Sequence, residues 1–232
     1  MTTIQGDGFI VNIIKSKRRK TMALKVDSKG VSAHIPPTLP LTTAKIFVKQ
    51  KTNWIQKKLA QQAERNVQEK QFVDNESFLF LGEQLTLRLY EEDSVPSIKK
   101  SASEIKFYGR LNKISKPAIR GAIIDWYKKQ ADGYLTARTH WLSDVTSLHP
   151  NSITIKSYKA RWGSCSIKSE INFNWQLIQA PPEVIDYVIT HELCHLSHHN
   201  HSPKFWALVE HYIPDFKLRR QWLKDNGYKL TF

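Results

Sequence analysis

The sequence predicts an α+β protein. A β-rich N-terminal module with one long helix occupies 1–112, and a second domain over 113–232 sets an HExxH helix beside a small sheet. Three observations lead there. Apolar residues alternate with period two through much of the first half, helical spacing takes over after Pro117, and His191-Glu192-Leu193-Cys194-His195 falls in a helical stretch that follows two strand-like segments.

Segments 9–14, 22–26 and 31–35 alternate and are rich in β-branched residues, which reads as an antiparallel meander turned at Ser28-Lys29-Gly30 and stopped by Pro36-Pro37. Lys15-Ser16-Lys17-Arg18-Arg19-Lys20 forms a basic hairpin tip between the first two strands. Thr42 or Thr43 can cap a helix running to about residue 70, with Ile46, Phe47, Ile55 and Leu59 on its apolar side and Trp54 packed. Segments 78–81 and 85–90 read as strands about the turn Gly82-Glu83, and 95–100 and 104–108 as two more. Pro117 opens a helix over 117–144, in which Ile119, Ile123, Trp126, Tyr127, Tyr134, Leu135 and Leu142 recur at helical spacing. Segments 152–157 and 171–177 alternate again, and one of them is expected to be a sheet edge open to an extended substrate. Between them Gly163 permits a bend or a close backbone approach.

The helix that carries the HExxH residues begins at Pro182, with Glu183 and Asp186 placed to complement its dipole. Histidines four apart lie about 40° from each other around a helix, so His191 and His195 can reach one metal ion. Glu192 projects roughly 60° from His195, on the side where it can hold a metal-bound water without becoming a ligand. A catalytic zinc site wants three protein ligands and one open position. His201 is the best third candidate, with His198 and His199 as rivals. The helix is expected to end near 198–200, with Asn200 in a left-handed turn, before Ser202-Pro203 starts another helix. A last helix over 216–226 stops at Gly227, and its Lys217, Arg219, Arg220 and Lys224 read as a solvated basic face.

With 41% hydrophobic residues, 232 residues suffice for a sizeable core. Lys and Arg number 35 against 21 Asp and Glu, a formal charge of +14 that attracts polyanions or acidic surfaces. The first twenty residues lack a leader's apolar region and no apolar run reaches membrane-span length, so a cytoplasmic protein with no membrane partner is expected. Cys165 and Cys194 are then free thiols.

Arg161-Trp162-Gly163-Ser164-Cys165, Ile171-Asn172-Phe173-Asn174, Asp186-Tyr187-Val188-Ile189 leading into HELCHL, and Asn200-His201-Ser202-Pro203-Lys204-Phe205-Trp206 together resemble the YgjP-like (DUF45) metal-dependent hydrolases, relatives of gluzincin-type metallopeptidases and of the SprT and WLM groups. The resemblance is specific over 152–226 and looser elsewhere. It implies a zincin-like catalytic domain with one Zn²⁺ per chain on His191, His195 and His201, and Glu192 as the base. Cys194 departs from the alanine more usual there, which would leave a thiol close to the metal.

The expected function is a zinc-dependent metallopeptidase in which Glu192 activates water. Arg161, Trp162, Tyr127 and Asn174 are candidate substrate-site residues: Arg161 for an oxyanion or phosphate contact or a salt bridge, Tyr127 for the oxyanion, and Trp162 as a floor. The charge also admits a nucleotide or other phosphoanhydride as substrate, and a DNA-associated protease or a nucleic-acid-binding module acting through the basic surface.

Overall fold

The structure, a computed structural model, describes residues 2–27, 29–67 and 70–230. The chain forms two compact units, Met1–Glu69 and Lys70–Phe232.

In the first unit, strands β1 (Thr3–Gln5), β2 (Ile10–Lys15), β3 (Ala23–Asp27) and β4 (Gly30–Ile35) form a sheet in the order β1-β2-β4-β3. The expected meander is half right. β3 and β4 are antiparallel, but β2 pairs with β4 in parallel, and the extra strand β1 flanks β2. Alternation could place the strands but not their order. Of the turn expected at 28–30, Ser28 lies outside the described residues. Val31, Ala33 and Ile35, from alternate positions of β4, join Val11, Ala44, Val48 and Ile55 in this unit's core. The single helix expected to about residue 70 is two, α1 (Leu41–Gln50) and α2 (Thr52–Val67), and residues 68–69 lie outside the described set. Lys51 breaks the run, and the Thr52 hydroxyl donates back to the Lys49 carbonyl. Pro40, not Thr42 or Thr43, precedes the first turn, and no side chain caps it. Trp54 is 41% exposed rather than packed.

The second unit opens with β5 (Ser77–Phe80), β6 (Glu83–Glu91), β7 (Ser97–Lys100) and β8 (Glu104–Gly109), in the order β5-β6-β8-β7. The division at 69/70 differs from the 1–112 and 113–232 organisation expected from sequence. The reason is that Phe78, Phe80, Leu85, Leu87, Ile105 and Phe107 bury into the same core as the residues after 113. The β5–β6 turn is also tied to later chain: Leu81 N–H donates to Ile178, Gly82 N–H to Gln179, and a Cβ on Gly82 would lie 2.9 Å from Pro181.

Helix α3 (Lys116–Thr146) starts with Pro117 in its first turn and the Ser115 hydroxyl accepting from Ala118 N–H, and ends at a left-handed Ser147. Ile119, Ile123, Tyr127, Ala131 and Leu135 form its buried stripe at four-residue spacing. Thr139, Ser143 and Thr146 continue the stripe with their buried hydroxyls satisfied, each donating to the carbonyl four residues earlier.

A three-stranded sheet follows, of β9 (Ser152–Lys156), β10 (Gly163–Cys165) and β11 (Glu170–Asn174), in the order β10-β11-β9. Of the two segments expected to supply an edge, β11 is central and β9 is one edge; the other edge is β10, within the stretch read only as a bend. After a 3-10 turn (Trp175–Gln179) come α4 (Pro182–Cys194), α5 (Pro203–Tyr212) and α6 (Phe216–Asn226). Ile185, Ile189 and Leu193 of α4 are fully buried. No helix among the described residues is long and apolar enough to cross a membrane.

Candidate active site

Helix α4 ends earlier than expected, with His195 as its C-cap, so His191 comes from the last turn and His195 from the cap. α5 begins with the Ser202 hydroxyl accepting from Phe205 N–H, which holds His201 just outside the helix. Asn200 does not take a left-handed conformation; its side-chain oxygen accepts from Ser202 N–H and makes the turn instead.

One candidate ligand atom from each of His191, His195 and His201 lies within 4.8 Å of the others. His198 and His199 are not part of this group among the described residues. His191 Nε2 and His201 Nε2 face each other at 3.1 Å. The His195 Nδ1–H donates to the His198 carbonyl at 3.0 Å, which leaves Nε2 as the lone-pair nitrogen. Phe205 stacks on the His195 ring and Trp206 on the His201 ring.

The residues fit a metal ion. Burial, with the neighbouring His195, His201 and Arg220, pushes the His191 imidazole down to about 3, so it stays a neutral ligand near pH 7. Burial lowers His195 as well, against the hydrogen bond to His198, which raises it. Three converging imidazoles, two with nitrogens turned toward one another, are a donor set for a divalent cation.

Glu192 is 6% exposed. Burial pushes its carboxyl up to about 7, and the Arg161 charge works against that rise. Its side chain lies against the backbone of β10: a Cβ on Gly163 would meet Glu192 Cγ and Oε1, each at 2.7 Å. The close approach that glycine permits is made to this carboxylate.

The other sequence candidates separate. Arg161 is exposed, close enough for its charge to act on Glu192, with its guanidinium 5.6 Å from the Tyr158 ring. Trp162 packs on Gly227, where an added Cβ would come within 3.2 Å of the indole. Asn174 is buried, and its amide donates to the Tyr158 and Arg161 carbonyls while its backbone N–H donates to Trp162. It shapes the 158–162 loop rather than facing the site. Tyr127 is fully buried in the core, its hydroxyl donating to the Leu79 carbonyl, and burial pushes it up. It does not join the histidines. Cys165 and Cys194 are free thiols, pushed up by burial to about 11 and about 12, with Glu192's charge adding to the rise at Cys165. Cys194 turns into the core and belongs to no metal-ligating group among the described residues.

Sequence reasoning missed two residues. Arg138 of α3 holds Asp186 of α4 through two hydrogen bonds of 2.7 and 2.8 Å, and Arg220 of α6 acts on the charge of His191. Neither is near its partner in sequence, so no local pattern could have paired them.

A buried carboxylate and three convergent histidines suit the chemistry of a metal-dependent hydrolase, and the family match puts the chain in that class, of the metallopeptidase kind. Residues 20–226 match the family described as YgjP-like, metallopeptidase domain, and the chain belongs to that family. Among solved structures it is similar to the zymogen of the metallopeptidase abylysin from Pyrococcus abyssi, at 23% identity and a TM-score of 0.35, over 39% of this chain and 93% of that one. It is also similar to the zymogen of jannalysin from Methanocaldococcus jannaschii, at 22% identity and a TM-score of 0.33, over 38% and 93%. No curated protein sequence matches it.

Proposed function

We propose that the protein is a zinc-dependent metallopeptidase with one ion per chain, in which His191, His195 and His201 hold the metal and Glu192 is the general base. The observation that carries this reading is the convergence of the three imidazoles beside a carboxylate that is buried and wedged against Gly163. A divalent ion bound there supplies a Lewis acid that polarises a carbonyl and lowers the pKa of a coordinated water to about 7.

The chain's own residues do the rest. Glu192, with a carboxyl near 7, takes a proton from the attacking water and returns it to the leaving amine. Gly163 fixes where that carboxylate sits. His198 supplies the carbonyl that sets the tautomer of His195, and Arg161, whose charge reaches Glu192, supplies positive charge for the developing oxyanion.

A polypeptide is the substrate that the sheet favours. β10 is hydrogen-bonded to β11 on one side and is an edge on the other. An extended chain added along β10 passes Gly163, and so passes Glu192.

Zinc content tests the ligand set. Wild type is expected to bind one equivalent, while His191→Ala, His195→Ala and His201→Ala each lose it. Full occupancy in any of the three would remove that histidine from the site.

A further inference from the structure

The ring of residues about the histidine cluster includes a cation that the hydrolytic chemistry does not use. Arg220 projects from the second turn of α6, and its guanidinium carbon lies 4.7 Å from the centre of the Trp206 ring. That indole is stacked on the His201 ring at 5.4 Å with 21° between planes, and its centre is 5.7 Å from that of His191. Phe216, one turn before Arg220 on α6, stacks on the same indole at 5.4 Å. The guanidinium, the His201 ring and the Phe216 ring thus all lie against the one indole.

The carboxylates around α6 are engaged by other residues. Asp215 pairs with Arg219, Asp225 accepts from Gln221, and Glu210 pairs with Lys217. No carboxylate pairs with Arg220 among the described residues, and the side chain is exposed. The charge of Arg161 acts on Glu192. Arg220 is thus an exposed, planar fork of donors set over an aromatic ring with no carboxylate partner among the described residues, and such a fork can read a carboxylate through two parallel hydrogen bonds.

Resting on the polypeptide reading above, we propose that Arg220 on Trp206 forms an anion subsite beside the histidine cluster, and that it selects peptides bearing a carboxylate within reach of the cleavage point. The carboxylate comes either from an Asp or Glu side chain or from the substrate's own C-terminus.

The test is equilibrium binding of fluorescent peptides to full-length, zinc-loaded Glu192→Gln, in which turnover is blocked. One neutral parent peptide is compared with variants carrying a single Glu at each position in turn, every peptide made as the free acid and as the C-terminal amide. One charge-assisted contact predicts about a tenfold tighter Kd for the carboxylate-bearing member. Adding Arg220→Gln is expected to abolish that ratio. Arg220→Lys, which keeps the charge but not the planar fork, is expected to restore only part of it. Dependence on one Glu position identifies a side chain as the source, and dependence on the free acid identifies the C-terminus.

Equal binding of acid and neutral peptides, or a preference that survives Arg220→Gln, overturns the subsite. If wild type still cleaves those peptides in a Glu192-dependent manner, the metallopeptidase reading stands without it. If Glu192→Gln binds no peptide and wild type cleaves none, the polypeptide reading fails and takes the subsite with it.

Discussion

Gly163 and Glu192, 29 positions apart in sequence, meet so closely that the carboxylate side chain occupies the space a Cβ at residue 163 would need. The contact joins the edge strand β10 to helix α4, which carries His191 and Glu192. It gives the glycine a reason beyond chain flexibility: the backbone is the wall against which Glu192 is held.

Gly163→Ala is accordingly expected to displace the Glu192 carboxylate while leaving the three histidines in place. Turnover should fall by about 10²-fold or more, the range assigned to a positioned general base, with zinc content unchanged. Steady-state kinetics and metal analysis on the same preparation check it. Wild-type turnover in Gly163→Ala would show that the contact has no catalytic consequence.

In the metal-free protein, His191 and Glu192 give stability opposite dependences on pH. His191 is depressed from its ordinary 6.5 to about 3, so its contribution is present above 6.5 and is lost as pH falls. Glu192 is raised from 4.5 to about 7, so the fold favours its protonated form and loses stability as pH rises through that window. Between pH 4.5 and 6.5 the two slopes oppose. Glu192→Gln should leave metal-free stability rising with pH there, and His191→Gln should leave it falling, each by up to about 1.4 kcal/mol per pH unit. Denaturant titrations in the presence of a chelator measure both slopes, and slopes of the same sign in the two variants would contradict the assignment.

The bidentate pair of Arg138 and Asp186 fastens α3 to the first turns of α4, with Arg138 also lying 4.1 Å from the Trp141 ring. The two side chains are 31% and 17% exposed, so solvent screens the pair only in part. Arg138→Ala is expected to destabilise the protein by about 1–3 kcal/mol, and a double-mutant cycle with Asp186→Ala should show coupling. Additive effects would mean the pair contributes no more than its separate packing.

Bound metal should stabilise the fold through ordinary linkage. A free zinc concentration one hundred times Kd adds about 2.7 kcal/mol. Chelation should therefore lower the melting temperature of wild type and leave that of His201→Ala unchanged. A chelator effect of equal size in both would place the stabilising ion elsewhere.

Much of this was legible in the sequence, and what was not has a physical reason. The HExxH spacing and the Ser202-Pro203 start of α5 are local signals, and the start of α5 and the cluster of histidines follow them, although α4 stops a few residues sooner than expected. Pro117 and the apolar stripe after it located α3 for the same reason. Strand order is a matter of long-range pairing, so the parallel β2–β4 pair and the edge position of β10 were hidden. Tyr127 and Asn174 looked like site residues because polar groups near a motif suggest function. Their hydroxyl and amide are instead satisfied by the Leu79, Tyr158 and Arg161 carbonyls, far along the chain for the tyrosine. Arg220 is exposed, as a basic helix face suggests, but its place over Trp206 depends on packing that its own helix does not show.

Whether Glu192 activates water for peptide hydrolysis is settled by one comparison. Zinc-loaded wild type and Glu192→Gln, matched for metal content, are assayed side by side on an unfolded polypeptide and on a panel of nucleoside triphosphates. Peptide cleavage is expected in wild type and should fall at least about 10²-fold in Glu192→Gln, with zinc retained in both. Peptide cleavage that survives the substitution, or Glu192-dependent release of phosphate or pyrophosphate with no peptide cleavage, would contradict it.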